Sequence, residues 1–166
     1  MKLIIVIIML LSFTLQGQNA TQVKNYIERY APVAVAEMDR CGIPASISMA
    51  QAIIESRSGT SVLSIKNNNH FGIKCFSRTC PPGHCTNYTN DSHKNFFIKY
   101  KDADRSWRIH TEFLLKLGVK RLIQSNKNTE IWIAGLQKLN YKTDPNYYKK
   151  LSVCISQYNL TNLDNL

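Results

Sequence analysis

Residues 42–61 read GIPASISMAQAIIESRSGTS, and this stretch decides the fold. Pro44 suits the first turn of a helix and Gly59 suits its end, so a helix is predicted from Pro44 to about Arg57. Its apolar residues recur at helical spacing (Ile47, Ala50, Ile53, Ile54). Polar residues share a second face (Ser48, Gln51, Glu55, Ser58). The stretch therefore predicts a core helix that presents Glu55 near its end.

Helical periodicity continues on both sides of this stretch. Further helices are predicted over 21–39, from Asp102 or Asp104 onward, over 128–139, and from Asp144-Pro145 onward. Only the tail after Tyr158 is expected to fray.

The stretch 62–100 has a different composition. It contains three consecutive Asn residues, a Pro-Pro-Gly turn and three of the Cys residues, and its candidate strands are 70–76 and 95–100. Helices, a small loop-rich β lobe and then helices again predict an α+β fold.

The N-terminus has the pattern of a secretory signal peptide. Lys2 precedes an apolar run over 3–13, and a segment of small and polar residues follows it. We expect cleavage between residues 17 and 20, hence export to the periplasm, the extracellular space or the cell wall, with no membrane attachment afterwards. An uncleaved anchor is the alternative. No Cys stands at the boundary to carry a lipoprotein anchor.

The formal net charge is +10. A basic exported protein suits an anionic partner such as cell wall, polysaccharide, a membrane surface or nucleic acid, although scattered basic residues also describe an ordinary solvated surface. No nucleic-acid-binding motif is recognisable, so nucleic acid is not expected as a partner.

The cysteines predict a local crosslink. Of the five (Cys41, Cys75, Cys80, Cys85, Cys154), three are spaced five residues apart. Disulfides persist in an oxidising compartment, so a loop disulfide within this group is the main expectation. Because five is an odd number, at least one thiol is expected to stay free or to pair between chains. A zinc site with His84 and His93 is the alternative, but the spacing matches no standard ligand pattern.

Glu55 is the strongest candidate for chemistry. It lies near the end of an apolar helix, just before a Ser-Arg-Ser-Gly break. A carboxyl group that is partly removed from water retains its proton more readily, which a general acid requires in order to protonate a glycosidic oxygen. On position alone, a surface role is the commoner one for such a Glu.

Four blocks resemble the bacterial glucosaminidase family, the peptidoglycan hydrolases of glycoside hydrolase family 73 that include flagellar rod-cap hydrolases and autolysins. The first block is the stretch 42–61. The others are Asn68–Lys74, then Phe97–Tyr100 with Ser106–Leu114, and finally Tyr141–Tyr147. The resemblance covers about residues 23–160.

The resemblance implies a lysozyme-like fold, in which a helical lobe and a small β lobe flank a groove. It also implies hydrolysis of the β-1,4 bond between N-acetylglucosamine and N-acetylmuramic acid in peptidoglycan strands, with Glu55 as the acid. The predicted organisation is a signal peptide over 1–17, a glucosaminidase domain over 21–160 and a tail over 161–166. We expect a monomer that needs no cofactor or metal.

The sequence offers one candidate for the second catalytic group. Asp91 is the only acidic residue between Glu55 and Asp102, and family members often carry an acidic residue in the β lobe. An inverting glycosidase would hold such a base about 6.5–9.5 Å from the acid. Alternatives are a turn role for Asp91 and assistance by the N-acetyl group of the substrate.

Three further residues are predicted to bind substrate by resemblance. Tyr141 matches the aromatic residue of the fourth block that lines the sugar site, with core packing as its alternative. Asn69 and Phe71 lie at the turn into the β lobe, where support of the fold competes with sugar contact. Lys142 departs from the family pattern, which usually has a small residue there.

Two other functions are compatible with this sequence. A lytic transglycosylase or muramidase shares the lysozyme-like fold and can also place a Glu-Ser pair at a helix end. A cell-wall-binding assembly protein without activity is the third interpretation.

Overall fold

The computed structural model describes residues 20–75, 83–87, 96–124 and 127–166. The first helix, α1, spans Ala20–Cys41, and the second, α2, spans Ala45–Ser56. Helix α2 contacts α1 and two helices near the C-terminus. Nearly all its residues are buried, including the polar ones (Ser46, Ser48, Gln51, Ser56). A helix that is enclosed on all sides forms the centre of the core, so its end is a rigid platform for Glu55.

The end of α2 is fixed by backbone conformation. Arg57 adopts the left-handed conformation with φ 52°, and the N–H of Ser58 donates to the Ile53 carbonyl at 2.9 Å. Gly59 follows with φ 77°, and a Cβ there would lie 3.0 Å from the Tyr26 ring. Both the backbone and the close ring therefore favour glycine at the predicted helix stop.

The described part of the stretch 62–100 contains two paired strands and one helix that was not predicted. Residues Val62–Asn67 form α3, which Ser61 caps by accepting a hydrogen bond from the Ser64 N–H. Strands β1 (Cys85–Asn87) and β2 (Phe96–Ile98) form an antiparallel pair with Cys85 opposite Ile98. The predicted strand over 70–76 was wrong in its described part, because only Lys74 makes a bridge, to Phe97.

The C-terminal helices agree with the sequence pattern. Helix α4 spans Ala103–Leu117, with Asp102 as its N-cap. The short α5 (Lys120–Ile123), which was not predicted, α6 (Thr129–Lys138) and α7 (Asn146–Gln157) follow. Asp144 accepts a hydrogen bond from the Asn146 N–H at the start of α7.

The prediction that the tail frays was wrong. Leu160–Asn165 form a 3₁₀ helix that packs against α2, and Leu160, Leu163 and Asp164 are buried. Leu160 and Leu163 are three positions apart, which places them on one face of a 3₁₀ helix. The chain end is therefore part of the core that holds α2.

A disulfide joins Cys75, directly after the block Asn68–Lys74, to Cys85 in β1. Cys41 and Cys154 are free thiols. The ligand atoms of Cys75, His84 and Cys85 lie within 4.8 Å of one another, but both sulfurs are used in the disulfide. The disulfide therefore leaves neither of these two sulfurs available as a zinc ligand.

Across the described ranges, no helix is both long and apolar enough to cross a membrane. The predicted signal peptide over 1–17 lies outside the described residues.

Candidate active site

Glu55 lies in the last turn of α2, where the enclosed helix reaches the surface. Its side chain is 15% exposed, and its Oε1 has no contact with solvent. The carboxyl group is therefore partly desolvated yet still open on one side. This position suits a group that meets a ligand at the edge of the core.

This carboxyl group forms an ion pair with Lys142, which lies between α6 and α7. The Nζ of Lys142 is 2.9 Å from Oε1 of Glu55, and its side chain is 36% exposed. The ammonium also lies over two aromatic rings, 5.5 Å from the centroid of Tyr141 and 5.7 Å from that of Tyr147. Cation–π attraction adds to the ion pair in holding it there.

Two phenols complete the surroundings of Glu55. The rings of Tyr141 and Tyr147 are 5.7 Å apart. Burial raises the pKa of the Tyr141 phenol, and the negative charge of Glu55 raises it further. Burial also holds the pKa of Tyr147 well above its ordinary value, with Tyr141 and Glu55 adding to the effect. Both phenols therefore stay protonated at neutral pH and can donate hydrogen bonds.

Behind Tyr141, α4 contributes an imidazole. Nε2 of His110 is 3.3 Å from the hydroxyl of Tyr141. Burial, with a smaller effect of the charge on Lys142, lowers the pKa of His110 to about 3. The ring is therefore neutral and connects Tyr141 to the core. Phe113, also on α4, is 41% exposed and lies 6.2 Å from the Tyr141 ring.

Phe71 is on the core side of this cluster. It is 3% exposed, its ring stacks on His110 at 3.7 Å, and it meets Trp107 edge to face at 5.2 Å. These contacts use the ring in packing, which favours the fold-support alternative for this residue.

Asn69 fastens the turn into the β lobe. Its Nδ2 donates to the carbonyls of Ile73 at 3.0 Å and Ile98 at 2.9 Å, and its Oδ1 accepts from the Ile73 N–H at 3.0 Å. The side chain is 1% exposed. It joins the turn to β2 and so sets where the β lobe stands relative to α2.

The structure brings Glu55 and Tyr141 into one cluster, with Asn69 and Phe71 as its support. Asp91 lies outside the described residues. Sequence reasoning missed the ion pair of Lys142 and the place of Tyr147 beside Glu55. The departure from the family pattern at Lys142 was a signal in the sequence. Which residue the lysine pairs with, however, depends on the tertiary structure.

The sequence matches known proteins over most of its length. Residues 31–160 match the family model Glucosaminidase, described as mannosyl-glycoprotein endo-beta-N-acetylglucosaminidase. An autolysin of Enterococcus faecalis is 33% identical over 154 residues, which cover 78% of this chain and 20% of the autolysin. Exo-glucosaminidase LytG of Bacillus subtilis is 32% identical over 132 residues, which cover 72% of this chain and 45% of LytG. The chain thus spans less than half of these relatives.

Solved structures confirm the lysozyme-like α+β fold. The catalytic domain of the autolysin Auto from Listeria monocytogenes gives a TM-score of 0.70 at 26% identity, covering 89% of this chain and 90% of that one. The glycoside hydrolase domain of FlgJ from Salmonella typhimurium gives 0.68 at 26% identity, covering 87% and 99%. Unlike the curated relatives, these two chains are almost fully covered.

Proposed function

The chain belongs to the glucosaminidase family, and on that basis we propose that it is an exported endo-β-N-acetylglucosaminidase of bacterial cell wall. Its substrate is the glycan strand of peptidoglycan, and the bond cleaved is the β-1,4 bond between N-acetylglucosamine and N-acetylmuramic acid. The names of the relatives, an autolysin, a glucosaminidase and a glycoside hydrolase domain, support this class of substrate and reaction.

The observation that carries the proposal is the position of Glu55. A carboxyl group on a rigid helix end, with one side open, is placed to deliver a proton to the glycosidic oxygen of a strand that binds there. The C–O bond then breaks with the electron pair moving to the leaving oxygen, which receives the proton. Water adds to the anomeric carbon and completes the hydrolysis.

The attacking water must give up a proton to a base, unless a group of the substrate itself assists the reaction. Asp91 is our candidate base, and assistance by the N-acetyl group of the substrate is the alternative. Tyr141 offers a protonated phenol and a ring face next to Glu55, which suits a pyranose ring bearing hydroxyls. Asn69 and Phe71 act by holding the β-lobe turn and His110 in place.

Export rests on the signal-like segment over 1–17. The basic charge of the chain favours attraction to an anionic wall, and raised salt should weaken that attraction.

Product analysis tests the proposal. Purified sacculi treated with the protein should yield new reducing ends of N-acetylglucosamine. Anhydro-muramic ends would identify a lytic transglycosylase instead, and new muramic reducing ends a muramidase. Binding without any new ends, in the wild-type protein, would favour the inactive assembly protein.

A further inference from the structure

The backbone of Lys142 is anchored in the core, whereas its charge lies at the end of a flexible side chain. Its N–H donates to the hydroxyl of Tyr148 at 3.0 Å, and that hydroxyl donates to the Lys142 carbonyl at 3.0 Å. Tyr148 is 6% exposed, so the anchor is part of the core. The ammonium, by contrast, ends a flexible four-carbon stem whose surface is 36% exposed. The side chain can therefore leave Glu55 without any movement of the backbone.

The ion pair opposes the role that we assign to Glu55. A general acid must present a proton to the glycosidic oxygen, and the Lys142 ammonium occupies Oε1 of Glu55 at 2.9 Å. The other titratable groups described in this cluster are the phenols of Tyr141 and Tyr147 and the imidazole of His110, which are neutral at pH 7. Lys142 must therefore release Glu55 before the acid can work.

An ammonium that leaves Glu55 regains a charged partner if the bound strand presents an anion within its reach. The chemistry of the strand offers one next to the bond being cut. The leaving oxygen is O4 of N-acetylmuramic acid, and the neighbouring carbon carries the lactyl ether. The lactyl carboxyl group is free once the peptide stem has been removed and is a neutral amide while the stem is attached.

We propose that Lys142 is a specificity-determining residue that transfers from Glu55 to the free lactyl carboxylate of peptide-free glycan strands. The transfer pairs the ammonium with the substrate carboxylate and frees Oε1 of Glu55 to face the glycosidic oxygen. The reaction that supplies this substrate is hydrolysis of the amide between the lactyl group and the peptide stem. This inference rests on the proposed function.

Two matched substrates test the inference. One is a peptide-free glycan strand with free lactyl carboxylates, and the other is the same strand with those carboxylates converted to methylamides. We expect the wild-type kcat/KM to be at least about tenfold higher on the first, as the gain of a charge-assisted contact implies. In Lys142→Met the ratio should fall to near one, and in Lys142→Arg most of it should remain. Lys149→Met, which changes an exposed lysine of α7, should keep the wild-type ratio.

Binding gives a readout that a structural role would not move. Glu55→Gln removes the internal partner of Lys142, so this variant should bind carboxylate strands more tightly than wild type does. The gain should vanish in the double variant Glu55→Gln/Lys142→Met.

Equal activity of the wild type on both strands, or an unchanged ratio in Lys142→Met, would overturn the inference. The proposed function would survive that result provided that the wild type still releases N-acetylglucosamine ends and Glu55→Gln does not. If the wild type cuts neither strand nor sacculi, the proposed function itself fails. Circular dichroism of each variant separates these outcomes from misfolding.

Discussion

Asp164 accepts hydrogen bonds from both the backbone N–H and the hydroxyl of Ser46, at 2.8 and 2.6 Å. Pro44, at the N-cap position of α2, provides no side-chain cap. The carboxylate therefore caps α2 from the far end of the chain and complements the positive end of the helix dipole. The C-terminus in this way stabilises the helix that carries Glu55.

We predict that Asp164→Ala lowers the free energy of unfolding by about 2–3 kcal/mol, since it leaves a buried N–H and hydroxyl without their charged acceptor. Urea unfolding monitored by circular dichroism measures the loss. Thr161→Ala, an exposed change on the same 3₁₀ helix, is the matched control and should be nearly neutral. Equal stability of Asp164→Ala and the control would contradict the capping role.

Glu55→Gln should lower kcat on sacculi by at least about 100-fold, because the amide cannot deliver a proton to the leaving oxygen. Folding should be kept, since the side chain is at the edge of the core. Release of soluble reducing ends measures activity. Glu28→Gln, on the exposed face of α1, controls for a general effect of charge removal. Unchanged clearing by Glu55→Gln would remove Glu55 from the mechanism.

Tyr141→Phe should lower kcat by about tenfold with little change in KM, because it keeps the ring and loses one hydrogen bond. Tyr141→Ala should also raise KM, since the ring face is then lost. Steady-state kinetics on soluble glycan strands separates the two effects. Tyr158→Phe, at the C-terminal end of α7, serves as the control for removing a tyrosine hydroxyl. A Tyr141→Ala variant with wild-type kinetics would assign this residue to packing alone.

Stability should fall on mild acidification because of two buried histidines. Burial lowers the pKa of His70 to about 4 and that of His110 to about 3. Below pH 6.5 the unfolded chain takes up protons that the folded chain refuses, so stability is lost as pH falls from 6.5 towards these values. The contribution of His70 is about 3 kcal/mol over its window.

Unfolding free energies measured between pH 7 and 4 check this prediction. His70→Gln should flatten the pH dependence, whatever it does to stability at pH 7. His84→Gln, which changes an exposed histidine, should leave the slope as it is. A wild-type slope of zero between pH 6.5 and 4.5 would show that the unfolded chain gains no protons over the folded one.

Much of this protein could be predicted from the sequence, because its signals are local. Helical spacing, Pro44 and Gly59 located α2, and Asp102 and Asp144 located the starts of α4 and α7. Motif blocks in order predicted the family and the fold. The Cys spacing predicted a loop disulfide, although not which pair forms it.

Tertiary structure decided the features that depend on distant residues. The tail lacks a strong helical pattern, yet Asp164 is buried because α2 offers it two donors. In the sequence, Lys142 is only a departure from the family pattern. Packing of α2 against the segment before α7 is what brings it to Glu55. Periodicity reports which face of an element is apolar, whereas ion pairs and caps between elements form only when the elements meet. The sequence by itself therefore determined the fold class and the candidate acid, and the tertiary structure decided what surrounds that acid.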